Sequence, residues 1–454
     1  MKNFFRFIFL SQFGGLIRIG SSSIGGHLLL LPILFLNKKT LKNYSLFLPI
    51  LVISFFFGFN NYRELNLLEI GQRFISISII FYLMTFFKDF INSSTLEERQ
   101  IFFQRLLILS IPSILINLLE IIYRLTSQFL PLLIFIKRIF IPFRSGGIYT
   151  AGTIAGFFPE HGLFPPYLLM MLGTSLIYLI LFSGRNKKII YNLIAIIWIL
   201  LSIVHLSGLY YFSIGITLGL ILIMQLLYLF FYFKINRNIT KLFSLLFISL
   251  TSIMFFIRTY DERFFNRLGN FIIYIPSFFN FNFSNVFDTS LLYKFLPYTL
   301  AKSISFNTFF FGTGISFYSS YVTENLDNIP NAIKSISYFQ QNLAVQRFPL
   351  NSYIVCLIIE IGIIGILTLI ILLPKPISIE LSNFLPYPGY KDIKNSTLSR
   401  KEKFFTILAI FALFTSFNTI FGAVPLLYPY PWISLGSIMI IIDTQKILKN
   451  KNLK

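Results

Sequence analysis

Three ionisable side chains, Arg144, Glu160 and His161, lie in FRSGGIYTAGTIAGFFPEHGLFPPYLL, residues 143–169, within an otherwise very apolar chain. Moving an ion out of water is costly unless it finds a partner, so soluble cores and lipid-facing helices both avoid such groups. Carboxylate and imidazole are the usual general bases, and guanidinium grips phosphate through paired hydrogen bonds. Glu160 or His161 could therefore take a proton from a substrate while Arg144 binds an anion. Gly146, Gly147, Gly152 and Gly156 permit close backbone approach, and Pro165 and Pro166 suit the start of a helix. The plainer reading is a loop entering a helix, with Glu160 near the positive end of its dipole.

A second group of cations follows in IRTYDERFFNRLGNF, with Arg258, Arg263 and Arg267, and Arg347 lies further along the chain. A phosphate-bearing lipid would explain them; so would a basic face turned to solvent or lipid headgroups. Glu120 and Glu360 fall near or within apolar runs, where an ionisable group is a functional candidate by default. Glu120 is expected to reach out to the membrane surface, and Glu360 to find a polar partner inside the bundle. The GTG in FFFGTGISFYSSY reads alone as a plain turn, and His205 as a packed residue. Cys356, the single cysteine, lies in an apolar run and supports neither a disulfide framework nor a metal site. No P-loop, HExxH, GxSxG or paired metal-ligand spacing occurs, and no metal or cofactor is expected.

These residues need elements to position them. The chain is 454 residues long, 56% hydrophobic and 12% charged, with a mean hydropathy of +0.75, about half the charge of an average soluble domain. That composition predicts an all-α, polytopic transmembrane bundle. A span needs about 20 apolar residues, and such runs occur at 14–36, 44–60, 74–91, 102–122, 163–183, 189–206, 209–233, 242–257, 351–373, 404–423 and 425–442. Residues 3–18 add a weak span or half-helix, giving eleven or twelve.

The net charge of +21 is not a nucleic-acid signal, because Lys and Arg collect in alternate connections: NKKTLKN, GRNKK, FKINRNITK, SRKEK and the tail KILKNKNLK. The positive-inside rule makes that side cytoplasmic and puts both termini there. Two connections on the other side are long. Residues 123–162 contain FLPLLIFIKRIFIPF, expected as an interfacial or re-entrant helix. Residues 258–350 form a large external loop expected to fold over the membrane face. The chain thus divides into N-terminal membrane helices, 1–257, the loop, 258–350, and C-terminal helices with a cytoplasmic tail, 351–454.

Several pieces in order resemble the bacterial O-antigen polymerases and their ligase relatives. They are RSGG followed by GFFPEHGLFPPYLL, the LSG after His205, FFFGTGISF, and LNSYIVCLIIEIGIIGIL, together spanning about half the chain. The last is similar to that family's Asn-containing entry to a helix carrying a Glu and a Gly-x-x-Gly step, which adds Asn351 to the site residues. In ligases a histidine usually precedes that Asn; here it is Leu350, which favours polymerase. Glu160 stands where the family has Glu-Pro, with His161 in place of the proline.

The resemblance implies a fold akin to polyprenyl-dependent glycosyltransferases and a metal-independent activity at the periplasmic face of the bacterial inner membrane. The implied substrate is an undecaprenyl-diphosphate-linked glycan, and the implied partners are membrane lipid and a chain-length regulator protein, with no nucleic acid. Glu160 and His161 would then be catalytic, with Arg144, Arg258, Arg263, Arg267, Arg347 and Asn351 binding diphosphate or glycan. A ligase has nearly the same layout, so does an exopolysaccharide polymerase, and a flippase of lipid-linked sugars is the alternative from another class.

Overall fold

The computed structural model describes residues 2–13, 17–19, 22–24, 38–62, 67–126, 128–140, 156–158, 164–182, 189–204, 213–214, 217, 292–293, 296–302, 304–315, 317–345, 348, 353–372, 400–421 and 429–451. The spans expected at 209–233 and 242–257 lie almost wholly outside them. The regular elements among the described residues are helices apart from one two-stranded antiparallel hairpin, β1 (Ile17–Ile19) with β2 (Ser22–Ile24). That hairpin corrects the span expected at 14–36. Its sequence, GGLIRIGSSSIGG, gives the reason: glycines and serines penalise a helix, β-branched Ile favours strands, and Arg18 interrupts the apolar run.

The chain opens with α1 (Lys2–Ser11). Ten residues rise about 15 Å, half of a hydrocarbon core, so α1 is a half-helix. Phe4 stacks on Phe86 at 3.9 Å and Phe7 meets Tyr82 at 6.0 Å, while Gln12 beyond its end donates to Leu109 O at 2.7 Å and accepts from Ser113 Oγ at 2.7 Å. The helix thus ends against polar groups that satisfy it inside the bundle.

The bundle continues with α2 (Lys38–Tyr62), α3 (Leu67–Ser93), α4 (Leu96–Leu109) and α5 (Ile111–Thr126). Next come α6 (Leu130–Phe140), α7 (Pro165–Ile177) with a π-helical turn at Tyr178–Phe182, and α8 (Ile189–Val204). Three stretches, Arg73–Ser93, Leu96–Tyr123 and Pro165–Phe182, are long and apolar enough to cross a membrane. The run expected at 102–122 is marked by a turn at Ser110, two residues before Pro112, which has no N–H to continue the ladder; Trp198 Nε1 donates to Ser110 Oγ at 2.7 Å there. Outward faces are apolar, with Ile53, Phe56, Leu115 and Ile189 all more than half exposed, as a lipid-facing surface requires. Helix α6 has 11 residues, too few to span.

Residues 292–348 contribute α9 (Leu296–Lys302), α10 (Phe306–Phe311), α11 (Tyr318–Glu324), α12 (Asn331–Lys334) and α13 (Ser337–Ala344). They close around Tyr318, Val322, Phe339 and Phe348, and the core is completed by Val355, Cys356 and Ile359 of α14 (Tyr353–Leu372). The expected loop is therefore built partly on the helix that follows it. The bundle ends with α15 (Arg400–Asn418) and α16 (Tyr430–Lys451). Gly173 of α7 lies so close to α15 that a Cβ there would fall 2.4 Å from Leu413.

The α3–α4 connection is tied to the far part of α16. Buried Arg99 donates to Asp443 at 2.7 Å, Thr444 at 3.0 Å, Ser94 at 3.0 Å and Ile91 O at 3.0 Å. Helix α4 itself starts in a capping box, with Glu98 N donating to Thr95 Oγ1 at 3.2 Å and Thr95 N to Glu98 Oε2 at 2.8 Å. Thr95→Ala is expected to cost about 1 kcal/mol, read as a lower midpoint in thermal unfolding of the detergent-solubilised protein.

Candidate functional site

Helix α14 is broken at Gly362, which adopts φ 65°, ψ 178°. A break inside an apolar helix frees the carbonyls of the preceding turn, and buried carbonyls need donors. The GTG of residues 312–314 supplies them. Thr313 N donates to Ile359 O at 2.7 Å and Gly314 N to Glu360 O at 2.9 Å, while Thr313 Oγ1 also donates to Ile359 O at 3.1 Å. Ser54 of α2 adds its hydroxyl to Glu360 O at 3.1 Å and accepts from Ile315 N at 2.9 Å.

Backbone meets backbone at this crossing. A Cβ on Gly312 would lie 2.2 Å from Glu360 O, and one on Gly362 would lie 2.2 Å from Phe310 O. Gly314 packs against Gly58 in the same way, its Cβ position 2.4 Å from Gly58 Cα. The GTG, a plain turn when read alone, docks on the broken helix.

The side chain of Glu360 finds the partner expected for it. Arg73 of α3 donates from Nε to Oε2 at 2.9 Å and from Nη2 to Oε1 at 3.1 Å. Glu360 is fully buried and Arg73 nearly so, so the pair exchanges charge-assisted bonds in a low-dielectric setting. Sequence reasoning missed Arg73, which precedes the expected span 74–91 by one residue; the signal was an arginine abutting an apolar run with a lone glutamate elsewhere in the bundle. Tyr318 stands on α11, outside the three membrane-length stretches. Burial first, then Cys356, Tyr293 and Glu360 nearby, holds its hydroxyl well above the ordinary phenol range.

A second buried pair stands on α5 and α6. Glu120 Oε1 accepts from Lys137 Nζ, and its Oε2 accepts from the backbone N–H of Gly156 at 2.9 Å. Both side chains are almost fully buried. This corrects the expectation that Glu120 reaches the membrane surface: the cation and the amide satisfy it inside. An apolar cleft of about 550 Å³ is lined by Phe9 of α1, Phe13 just after it, Pro112 and Ile116 on α5, Ile136 on α6, and Phe157.

The residues nominated from sequence, Arg144, Glu160, His161, Arg258, Arg263, Arg267, Arg347 and Asn351, lie outside the described residues. The flanks of Glu160 and His161 are described. Before them, Gly156 is held by Glu120, and Phe158 packs on Tyr167 at 5.8 Å and Tyr430 at 5.7 Å. After them, Phe164 meets Phe158 at 5.7 Å, and Pro166 O accepts from Ser416 Oγ at 2.7 Å. Beside Arg347, Phe348 N donates to Ser319 Oγ at 3.0 Å. Among the described residues no group of three or more His, Cys, Asp or Glu side chains could hold a metal ion.

Compared with known protein families, curated proteins and solved structures, the chain has no match.

Proposed function

We propose that this protein polymerises undecaprenyl-diphosphate-linked oligosaccharide repeat units into O-antigen or a related surface polysaccharide. It works at the periplasmic face of a bacterial inner membrane, with both termini cytoplasmic and a chain-length regulator as partner. The observation that carries the reading is the docking of FFFGTGISF on the helix of LNSYIVCLIIEIGIIGIL. These two pieces are far apart in sequence yet interlocked through backbone hydrogen bonds, as parts of one site would be. In a third piece, GFFPEHGLFPPYLL, the residues on either side of Glu160 and His161 make buried contacts: Gly156 with Glu120, and Phe158 with Phe164.

In this reading a sugar hydroxyl of one lipid-linked unit attacks the anomeric carbon of the growing chain. The new glycosidic C–O bond forms as the bond to undecaprenyl diphosphate breaks, and Glu160 or His161 accepts the hydroxyl proton. Arg144, Arg258, Arg263, Arg267 and Arg347 stabilise the departing diphosphate, each well-placed donor contributing about 3 kcal/mol, and Asn351 orients the glycan.

The broken helix supports one other class, because transporters bind substrates at discontinuous helices. In those sites the unwound carbonyls serve the cargo; here Thr313, Gly314 and Ser54 already occupy two of them. The enzyme reading fits better.

The test is purified protein in liposomes given only lipid-linked repeat units. Lengthened glycan is the expected product, and Glu160→Gln and Arg258→Ala should each abolish lengthening while the protein inserts at normal levels. Movement of units across the bilayer without lengthening would assign transport. Consumption of a lipid-linked polymer only when an acceptor is added would assign ligation.

A further inference from the structure

The carboxylate of Glu120 joins three parts of the chain: its own helix α5, Lys137 on α6, and the backbone of Gly156. The amide bond singles it out. Lys137 could be neutralised by any buried acid, but Gly156 lies four residues before Glu160, and its N–H points at the second oxygen of Glu120. Gly156 adopts φ 58°, and a Cβ there would sit 3.4 Å from the amide atoms of Asn117. The segment therefore turns beside α5. Phe157 then packs on Phe13 at 5.0 Å and Phe158 on Tyr167 at 5.8 Å.

We infer that Glu120 is a positioning residue. One oxygen is held in place by Lys137, and the other fixes the Gly156 amide and with it the start of the strand of chain that carries Glu160 and His161. The inference rests on the reading that these two residues handle the hydroxyl proton. A small error in placing a catalytic group costs rate out of proportion to its size, about a hundredfold for a displacement of about 1 Å.

The experiment separates holding the segment from holding the fold. In the exchanged variant E120K/K137E the buried ion pair is kept with its charges reversed, but an ammonium has no acceptor for the Gly156 N–H. The expected result is a near-normal unfolding midpoint, about tenfold faster hydrogen–deuterium exchange at Gly156, and a fall in kcat of about a hundredfold with little change in KM. The second variant, E120Q/K137M, removes both charges and retains an acceptor oxygen at position 120. It should keep the Gly156 amide protected and recover most of the kcat.

If the two variants match in exchange and in kcat, or if the exchanged pair loses Gly156 protection yet elongates at the normal rate, the positioning role is overturned and the proposed function stands. A wild-type protein that lengthens no lipid-linked unit sinks the function itself, and this role with it. Should E120K/K137E fail to insert, E120Q/K137M still decides: loss of kcat with Gly156 protected overturns the inference.

Discussion

Gly312→Ala is expected to leave little or no folded protein, whereas Gly71→Ala should be tolerated. The new methyl at position 312 would fall 2.2 Å from Glu360 O, 2.5 Å from its carbonyl carbon and 2.7 Å from Gly362 N. All three are backbone atoms in a buried crossing and cannot swing aside. Gly312 also adopts φ 81°, ψ 176°, a region open almost only to glycine, which adds about 1–3 kcal/mol of strain. Moving the loop away would strand the carbonyls of Ile359 and Glu360, each at a further cost of about 1–3 kcal/mol. The sum approaches the whole stability of an ordinary domain. Gly71 sits in helix α3 with nothing within 4 Å of its Cβ position, so alanine there relieves the glycine penalty. Monodisperse elution from a sizing column and the unfolding midpoint would compare the two. A Gly312→Ala protein as stable as Gly71→Ala would mean that the GTG does not seat on α14.

Much of the helical frame was legible because long apolar runs obey a length rule that needs no tertiary knowledge. The runs at 74–91 and 163–183 correspond to described membrane-length helices, Arg73–Ser93 and Pro165–Phe182. Local chemistry defeated that rule where hydropathy averages over it: in residues 14–36 the glycines, serines and Arg18 turn part of an apolar stretch into a hairpin.

Partners were far less legible than elements. Glu360 was expected to find something polar, since a buried carboxylate must, but no local pattern points to a guanidinium 287 positions away. Glu120 was misplaced for the same reason: a carboxylate near a helix end is drawn to water unless a cation such as Lys137 lies within reach, and that is a tertiary fact. The GTG likewise carried no sign of the helix it crosses. Sequence marks the residues that need partners; only the fold assigns them.

Arg73→Met is expected to destabilise the protein by about 3–5 kcal/mol, because it leaves the Glu360 carboxylate buried and unpaired. The double variant Arg73→Met/Glu360→Met should recover most of that loss. Two ions withdrawn from water bear a desolvation cost that their mutual attraction barely offsets, so an apolar pair of similar volume holds such a site about as well. The backbone carbonyl of residue 360 would still accept from Gly314 and Ser54, and the crossing at Gly362 would persist. Elongation then becomes the informative reading. A double variant that is stable yet inactive would show that the ion pair serves the reaction, through its charge or the angle it sets between α3 and the broken helix. A double variant as unstable as Arg73→Met would show that the paired charges themselves hold α14 to α3. The two outcomes differ because the bidentate pair engages the side chain of Glu360, whereas the GTG holds that residue's backbone, so charge and crossing can be removed one at a time.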